Sequence, residues 1–106
     1  MRAESTIKMQ KHISGSQVTA ARALLGLSKI ELADACDIWL RTLDRFEDGV
    51  GKPHRNNLKT IIAELEKRGI EFKNGNGIGV WLDFKKAEDY AKQLNPLSSG
   101  PRLGSD

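Results

Sequence analysis

The chain has 106 residues, one cysteine and a formal net charge of +3. This length suffices for one domain with its own core, and a single cysteine excludes both an intramolecular disulfide and a Cys-x-x-Cys zinc site. No apolar run approaches the ~20 residues of a membrane helix, and the first residues lack the apolar core of a signal peptide. We therefore expect a soluble, cytoplasmic protein that does not enter the membrane.

The excess positive charge lies in the first part of the chain. Residues 1–60 hold ten Lys and Arg against seven Asp and Glu, whereas residues 61–106 hold seven of each. This asymmetry is compatible with a polyanionic partner for the N-terminal part.

The first helix is predicted from a capping box. Residues 1–13 show no clear period and are predicted to form an N-terminal arm or a short strand. Ser14 then stands at a cap position with Gln17 three residues later, and apolar residues repeat at helical spacing until Gly26. A second capping box, Ser28 and Glu31, begins a second helix. Its predicted apolar side consists of Ile30, Leu32 and Ala33.

A turn and a third helix follow. Asp37 stands where the turn requires a positive φ, which Asp tolerates. The third helix is predicted from about Trp39 to Asp48, with Leu43 and Phe46 facing the core. The residues predicted to face outward are Leu40, Arg41, Asp44 and Arg45. An exposed helix with two arginines one turn apart has the shape and charge that suit the major groove of DNA.

The rest of the chain is predicted as helix, hairpin and helix. A fourth helix is predicted from Asn56, a good cap, to Gly69. The extended segments 70–73 and 78–82 flank an Asn-Gly-Asn-Gly run, which indicates a β-hairpin. Asp83 is predicted to cap a last helix whose inward residues are Phe84, Ala87, Tyr90, Ala91 and Leu94. The tail, residues 95–106, is rich in Ser, Gly and Pro and is predicted to be disordered.

Several of these segments resemble one family of regulators. Residues 17–69 are similar to the Cro/cI-type (XRE) helix-turn-helix proteins of phages and bacteria. The resemblance is carried by Ala21–Ser28, Glu31–Ala33 and Arg45–Gly49, at the family's spacing. It implies a mainly α, lambda-repressor-like helix-turn-helix bundle of four to five short helices, here followed by a β-hairpin and a short terminal helix. The chain departs from the family at Trp39, where Ser or Thr usually begins the recognition helix.

The resemblance also implies roles for individual residues. Arg22 and Glu47 would form a partly buried ion pair between the first and third helices. The residues expected to lie towards DNA bases are Lys29, Leu40, Arg41, Thr42 and Arg45. Those expected to lie towards phosphates are Ser28, Lys52, Arg55 and Asn57. Trp39 has two open interpretations, since it could fold back onto Leu43 or contact a ligand.

Enzyme activity is not expected. No pair of acids, nucleophile–base set or phosphate loop occurs in a context that would position it. The glycines of residues 75–79 lack the strand-to-helix setting of a nucleotide loop and are explained by turn geometry. We therefore predict a protein that is not an enzyme and holds no metal or cofactor.

The sequence favours a sequence-specific DNA-binding transcriptional regulator with double-stranded DNA as its partner. One recognition helix contacts only a few base pairs, so we expect a homodimer on a two-fold operator. Residues 70–94 are the predicted dimerisation element, next to a DNA-binding domain at 14–69. The candidate dimer residues are Phe72, Ile78, Val80, Trp81 and Leu82, although the hairpin could instead cover its own core. The alternative function is a protein-interaction module, an antitoxin or anti-activator, with Trp39 and Leu40 in its interface.

Overall fold

A computed structural model of the chain describes residues 12–94. This part contains five helices and one two-stranded antiparallel sheet: α1 (Gly15–Leu25), α2 (Lys29–Cys36), α3 (Leu40–Glu47), α4 (Arg55–Lys67), β1 (Ile70–Lys73), β2 (Gly79–Leu82) and α5 (Phe84–Leu94). The predicted fold class, mainly helical with a C-terminal hairpin and a short terminal helix, is confirmed. The predicted tail and all but the last two residues of the predicted arm lie outside the described residues.

Both predicted capping boxes are present. The Ser14 hydroxyl accepts a hydrogen bond from the Gln17 amide (3.2 Å), and the Ser14 amide donates to Gln17 Oε1 (3.0 Å). Ser28 and Glu31 make the same reciprocal pair at 3.0 and 2.9 Å. These contacts satisfy amide groups that a helix start would otherwise leave unpaired.

A tight turn joins α2 to α3 and gives the helix-turn-helix. Asp37 has a φ of 56°, as its position predicts, and its amide donates to the Ala33 and Asp34 carbonyls. Trp39 takes the N-cap position of α3 but makes no side-chain capping hydrogen bond. The predicted cap of α4 is wrong: the N-cap is His54, two residues before Asn56, because the His54 carbonyl already accepts the first helical bond, from the Leu58 amide (3.0 Å). Asn56 therefore lies inside the first turn.

One core joins the four N-terminal helices to the hairpin. Its buried apolar residues are Ile13, Val18, Ala21, Leu32, Ala33, Cys36, Leu43, Phe46, Ile61, Leu65 and Ile70. Burial raises the pKa of the Cys36 thiol to about 11, so the group is a neutral core residue at neutral pH. The predicted apolar side of α2 is wrong at Ile30, which is 60% exposed. It precedes Leu32 by two positions, so the two side chains cannot share one helical face.

The hairpin turns one face inward. Its register pairs Ile70 with Leu82 and Phe72 with Val80 on one face, while Glu71 and Trp81 pair on the other. Phe72, Val80 and Leu82 are half-buried and pack against the core. The hairpin thus closes the core of its own chain, one of the two arrangements that the sequence left open.

Helix α5 differs most from its prediction. Asp83 caps it as expected, with Oδ1 accepting from the Lys86 amide (3.0 Å). The predicted inward face is wrong, because no residue of α5 is buried and Phe84 is 75% exposed. The physical reason is that the helix lies at the edge of the domain. The Arg68 guanidinium stacks 5.1 Å from the Tyr90 ring centroid there, and only Ala87 and Tyr90 are half-buried.

Two features are absent from the part of the chain between residues 12 and 94. None of its helices combines the length and the apolar character that crossing a membrane would require. No group of three or more His, Cys, Asp and Glu side chains within it is arranged to hold a metal ion.

Candidate nucleic-acid interface

An ion pair fixes the position of α3. Arg22 on α1 donates from Nε and Nη2 to the two carboxylate oxygens of Glu47, each at 2.7 Å. Thr19 Oγ1 also donates to Glu47 (2.9 Å), and Arg22 Nη1 donates to the Leu27 carbonyl (3.1 Å). The hydrogen bonds that Arg22 donates to Glu47 raise the pKa of Arg22 against the opposing effect of burial. Because the Glu47 side chain is only 3% exposed, this pair holds the end of α3 firmly against α1.

The outward side of α3 carries two arginines. Arg41 and Arg45 are four residues apart, which places them on one face of the helix, and both are exposed. The turn after α3 folds back on this face, since the amides of Val50 and Gly51 donate to the Arg45 carbonyl at 2.9 and 3.3 Å. A Cβ on residue 51 would lie 3.4 Å from Arg45 Nε, an ordinary contact distance, so the Arg45 side chain lies beside this turn.

A second ion pair joins the start of α2 to Asp44 on the outward side of α3. Lys29 Nζ at the start of α2 lies 2.5 Å from Asp44 Oδ1, and this hydrogen bond raises the pKa of Lys29. The acid on the outward face is therefore neutralised by a lysine from the preceding helix. Lys29 was expected to lie towards bases, and in this structure its ammonium group is engaged with Asp44.

Uncompensated positive charge continues from α3 into α4. Lys52, Arg55 and Lys59 are exposed and, like Arg41 and Arg45, form no ion pair within residues 12–94. In the same part of the chain, every other basic side chain except Lys92 has a carboxylate partner. Five unpaired cations thus lie between residues 41 and 59. Such a cluster produces the positive potential that attracts a polyanion.

The remaining candidates for DNA contact lie near this cluster in sequence but differ in exposure. Ser28 is exposed at the start of α2, where its hydroxyl is already the acceptor for the Glu31 amide. Thr42 and Asn57 are half-buried, the first on α3 and the second in the first turn of α4. Ser28 could present its backbone and hydroxyl groups to DNA, whereas less of the Thr42 and Asn57 side chains is exposed.

The start of α3 presents apolar side chains to solvent. Trp39 is 82% exposed, Ile30 is 60% exposed and Leu40 is 43% exposed. We call these three residues the apolar corner. They line a surface cavity of about 430 Å³ whose other wall includes Asp34 and Asp37. Trp39 therefore does not fold back into the core, which leaves contact with a ligand as the open interpretation.

The residues predicted for dimerisation fall into two groups. Phe72, Val80 and Leu82 belong to the inward face of the hairpin, whereas Trp81 and Ile78 are exposed. Ile78 precedes β2 and lies outside the strand predicted to contain it. Trp81 lines an apolar groove of about 690 Å³ together with Leu24 and Phe84.

Sequence reasoning missed two features of this surface. It did not pair Lys29 with Asp44, which lies 15 positions away, and it did not foresee the approach of Arg45 to Gly51. The only available signal was the opposite charge of Lys29 and Asp44 on helices predicted to be neighbours. A comparison of the chain with protein-family models and with curated proteins finds no match.

Proposed function

We propose that the chain is a sequence-specific DNA-binding transcriptional regulator, a repressor of the helix-turn-helix kind, located in the cytoplasm on the nucleoid. The observation that carries this proposal is the pair Arg41 and Arg45, exposed and without carboxylate partners on the outward face of α3. A guanidinium can donate two hydrogen bonds to the O6 and N7 atoms of guanine, the commonest specific contact in the major groove. The ion pair between Arg22 and Glu47 supports the same function, because readout requires a rigidly held helix.

Lys52 and Arg55 have a different part in the proposal. They follow α3 in the turn and at the start of α4, where exposed cations suit phosphates rather than base edges. Phosphate contacts give affinity without sequence preference, and they release counterions. Arginine readout and phosphate contact therefore predict different effects of substitution.

The test begins with a duplex site selected by the full chain from a random-sequence library. Arg41→Ala or Arg45→Ala should reduce the preference for that site over a scrambled one by roughly 5- to 150-fold, the equivalent of one bidentate contact. Lys52→Ala or Arg55→Ala should weaken binding to both sites alike and reduce the salt slope by about 1. Lys92→Ala removes an exposed lysine of α5 and is the matched control, which should change neither quantity. An unchanged preference in both arginine variants would contradict the readout assignment.

The regulator is proposed to act as a homodimer, in which two recognition helices enter successive major grooves and the bound protein blocks polymerase. The subunit contact is proposed at Trp81 and Ile78, the exposed apolar residues of the hairpin region. Sedimentation equilibrium of the full chain at tens of micromolar should give a dimer, and Trp81→Ser should shift it towards monomer. Ile30→Ser, an exposed apolar residue of α2, is the control. A monomeric parent chain would overturn this part of the proposal.

A second candidate function uses the same fold to bind another protein. The exposed apolar corner and the two acids beside it favour this candidate, since an apolar and basic peptide could occupy that cavity. Such a protein would act as an antitoxin or anti-activator. Binding of duplex DNA that weakens steeply with salt supports the first function. A chain without measurable DNA affinity at low salt would favour the second.

A further inference from the structure

The sequence places an exposed tryptophan where a helix cap would ordinarily stand. Trp39 occupies the N-cap of α3, and its side chain makes no capping hydrogen bond. Ser, Thr, Asp and Asn stabilise this position, and a large apolar residue does not. The core does not bury the Trp39 side chain either, because the residue is 82% exposed. A residue that stabilises neither the helix nor the core is a candidate for contact with a partner.

The outward side of α3 consists of two adjacent rows. Arg41 and Arg45, four residues apart, form the charged row. Leu40 and Asp44, each one position earlier in the sequence, form the second row beside it. Asp44 is neutralised by Lys29, so the second row has little net charge and begins with an apolar side chain. A partner that covers both rows must offer acceptors to the arginines and, directly beside them, an apolar group to Leu40 and Trp39.

Duplex DNA offers this combination in its major groove. Guanine presents two acceptors, and the 5-methyl group of thymine is the apolar group on the edges of the four base pairs. We infer that Trp39 and Leu40 of the apolar corner contact the 5-methyl group of a thymine adjacent to the base read by Arg41, as specificity-determining residues. This inference rests on the proposed DNA-binding function.

The charges around the apolar corner differ between its two sides. On one side the corner continues into the unpaired arginines of α3, which suit the acceptors on a base edge. The two acids of the cavity, Asp34 and Asp37, lie at the end of α2 and beyond it, and would repel phosphates there. Trp39 and Leu40, at the start of α3, are therefore the members expected to reach a base edge, whereas Ile30 on α2 is not.

The experiment compares thymine with deoxyuridine, which differs from it only in lacking the 5-methyl group. Each thymine of the selected duplex is replaced in turn, and the dissociation constant is measured at fixed salt. We expect about a fourfold loss of affinity at one position in each half-site, which corresponds to one buried methyl group. Leu40→Ala and Trp39→Ala should bind the two duplexes equally. Leu94→Ala removes an exposed apolar residue on α5 and should keep the fourfold difference.

The outcomes separate this inference from the function on which it rests. Tight, salt-dependent binding of the selected site without any effect of deoxyuridine would overturn the inference and leave the proposed function intact. A deoxyuridine effect that persists in both Leu40→Ala and Trp39→Ala would also overturn it. Failure to select any duplex would overturn both. If Trp39→Ala abolishes binding of a basic apolar peptide while the thymine preference is unaltered, the occupant is protein and the inference is wrong. Thermal melting of each variant checks that the fold is retained.

Discussion

The side chain of Gln17 is hydrogen-bonded to Asn74 in the hairpin loop, with 3.0 Å between Gln17 Nε2 and Asn74 Oδ1. The same Nε2 atom donates to the Gly79 carbonyl (3.0 Å), while Oε1 accepts from the Ser14 amide. The Asn74 side chain in turn donates to the His12 carbonyl (3.3 Å). One buried amide thus completes the cap of α1 and attaches the hairpin to that helix.

Substitution of Gln17 should reveal this double role. Gln17→Ala removes the cap contact and leaves the Gly79 carbonyl without its donor. We expect a loss of about 2–4 kcal/mol in the free energy of unfolding, measured in urea. The matched control is Glu31→Ala, which removes the same position of the other capping box but no hairpin contact, and should cost ~1 kcal/mol. Equal losses in the two variants would mean that the hairpin attachment contributes nothing.

The ion pair between Arg22 and Glu47 should contribute strongly to stability. Removal of either partner leaves a mostly buried charge unpaired, which costs ~3–5 kcal/mol. Arg22→Ala should be the more damaging change, because Glu47 is 3% exposed whereas the Arg22 side chain is 15% exposed and can reach water. The double variant should lose less than the sum of the single losses. Losses below ~1 kcal/mol in both single variants would contradict the rigid attachment of α3.

Gly15 should be intolerant of alanine although it lies in a helix. Alanine is ordinarily favoured over glycine in a helix by roughly 0.5–1 kcal/mol. Here a Cβ would lie 2.0 Å from the Phe46 carbonyl oxygen, so α1 and α3 would have to separate. We expect Gly15→Ala to lower the melting temperature and weaken DNA binding. Gly75→Ala, where an added Cβ meets nothing within 4 Å, is the control. A stabilised Gly15→Ala variant would show that the close approach is absent.

Stability should decrease in acid. Burial acts to raise the pKa of Glu64, but hydrogen bonds from Arg68 (2.8 Å) and Lys67 (3.1 Å) outweigh it and lower the pKa below 4.5. The stabilisation is therefore fully present above about pH 4.5 and is lost as the pH falls through the folded-state pKa. Urea unfolding between pH 7 and pH 3 should show this decline, with a smaller decline in Glu64→Gln. Glu66→Gln, an exposed neighbour on α4, should decline as the parent chain does.

The features that the sequence predicted correctly are those set by neighbours along the chain. The two capping boxes and the positive φ of Asp37 are local, so residue type and spacing suffice to predict them. The second role of Gln17 depends on residues 57 or more positions away along the chain. The close approach at Gly15 depends on Phe46, 31 positions away. No local pattern encodes contacts of that kind.

Helix α5 shows a different reason for error. Its apolar residues follow a helical period, which predicts a buried face. Periodicity reports that a face exists but not what covers it. Phe84 is exposed because residues 12–94 provide no element that packs over the start of α5. Similarly, the opposite charges of Lys29 and Asp44 were visible, but only the placement of α2 against α3 brings them together.

The attachment of the hairpin to α1 has a consequence for biosynthesis. Helix α1 is made before the hairpin, because the carbonyl that accepts from Gln17 belongs to a residue 62 positions later. Until the hairpin leaves the ribosome, the amide of Gln17 and the apolar residues beneath the hairpin remain in contact with water or with other proteins. The helix-turn-helix should therefore complete its fold only after the hairpin has emerged. A nascent chain that stalls before Ile70 should be an incompletely closed domain and a substrate for chaperones and proteases.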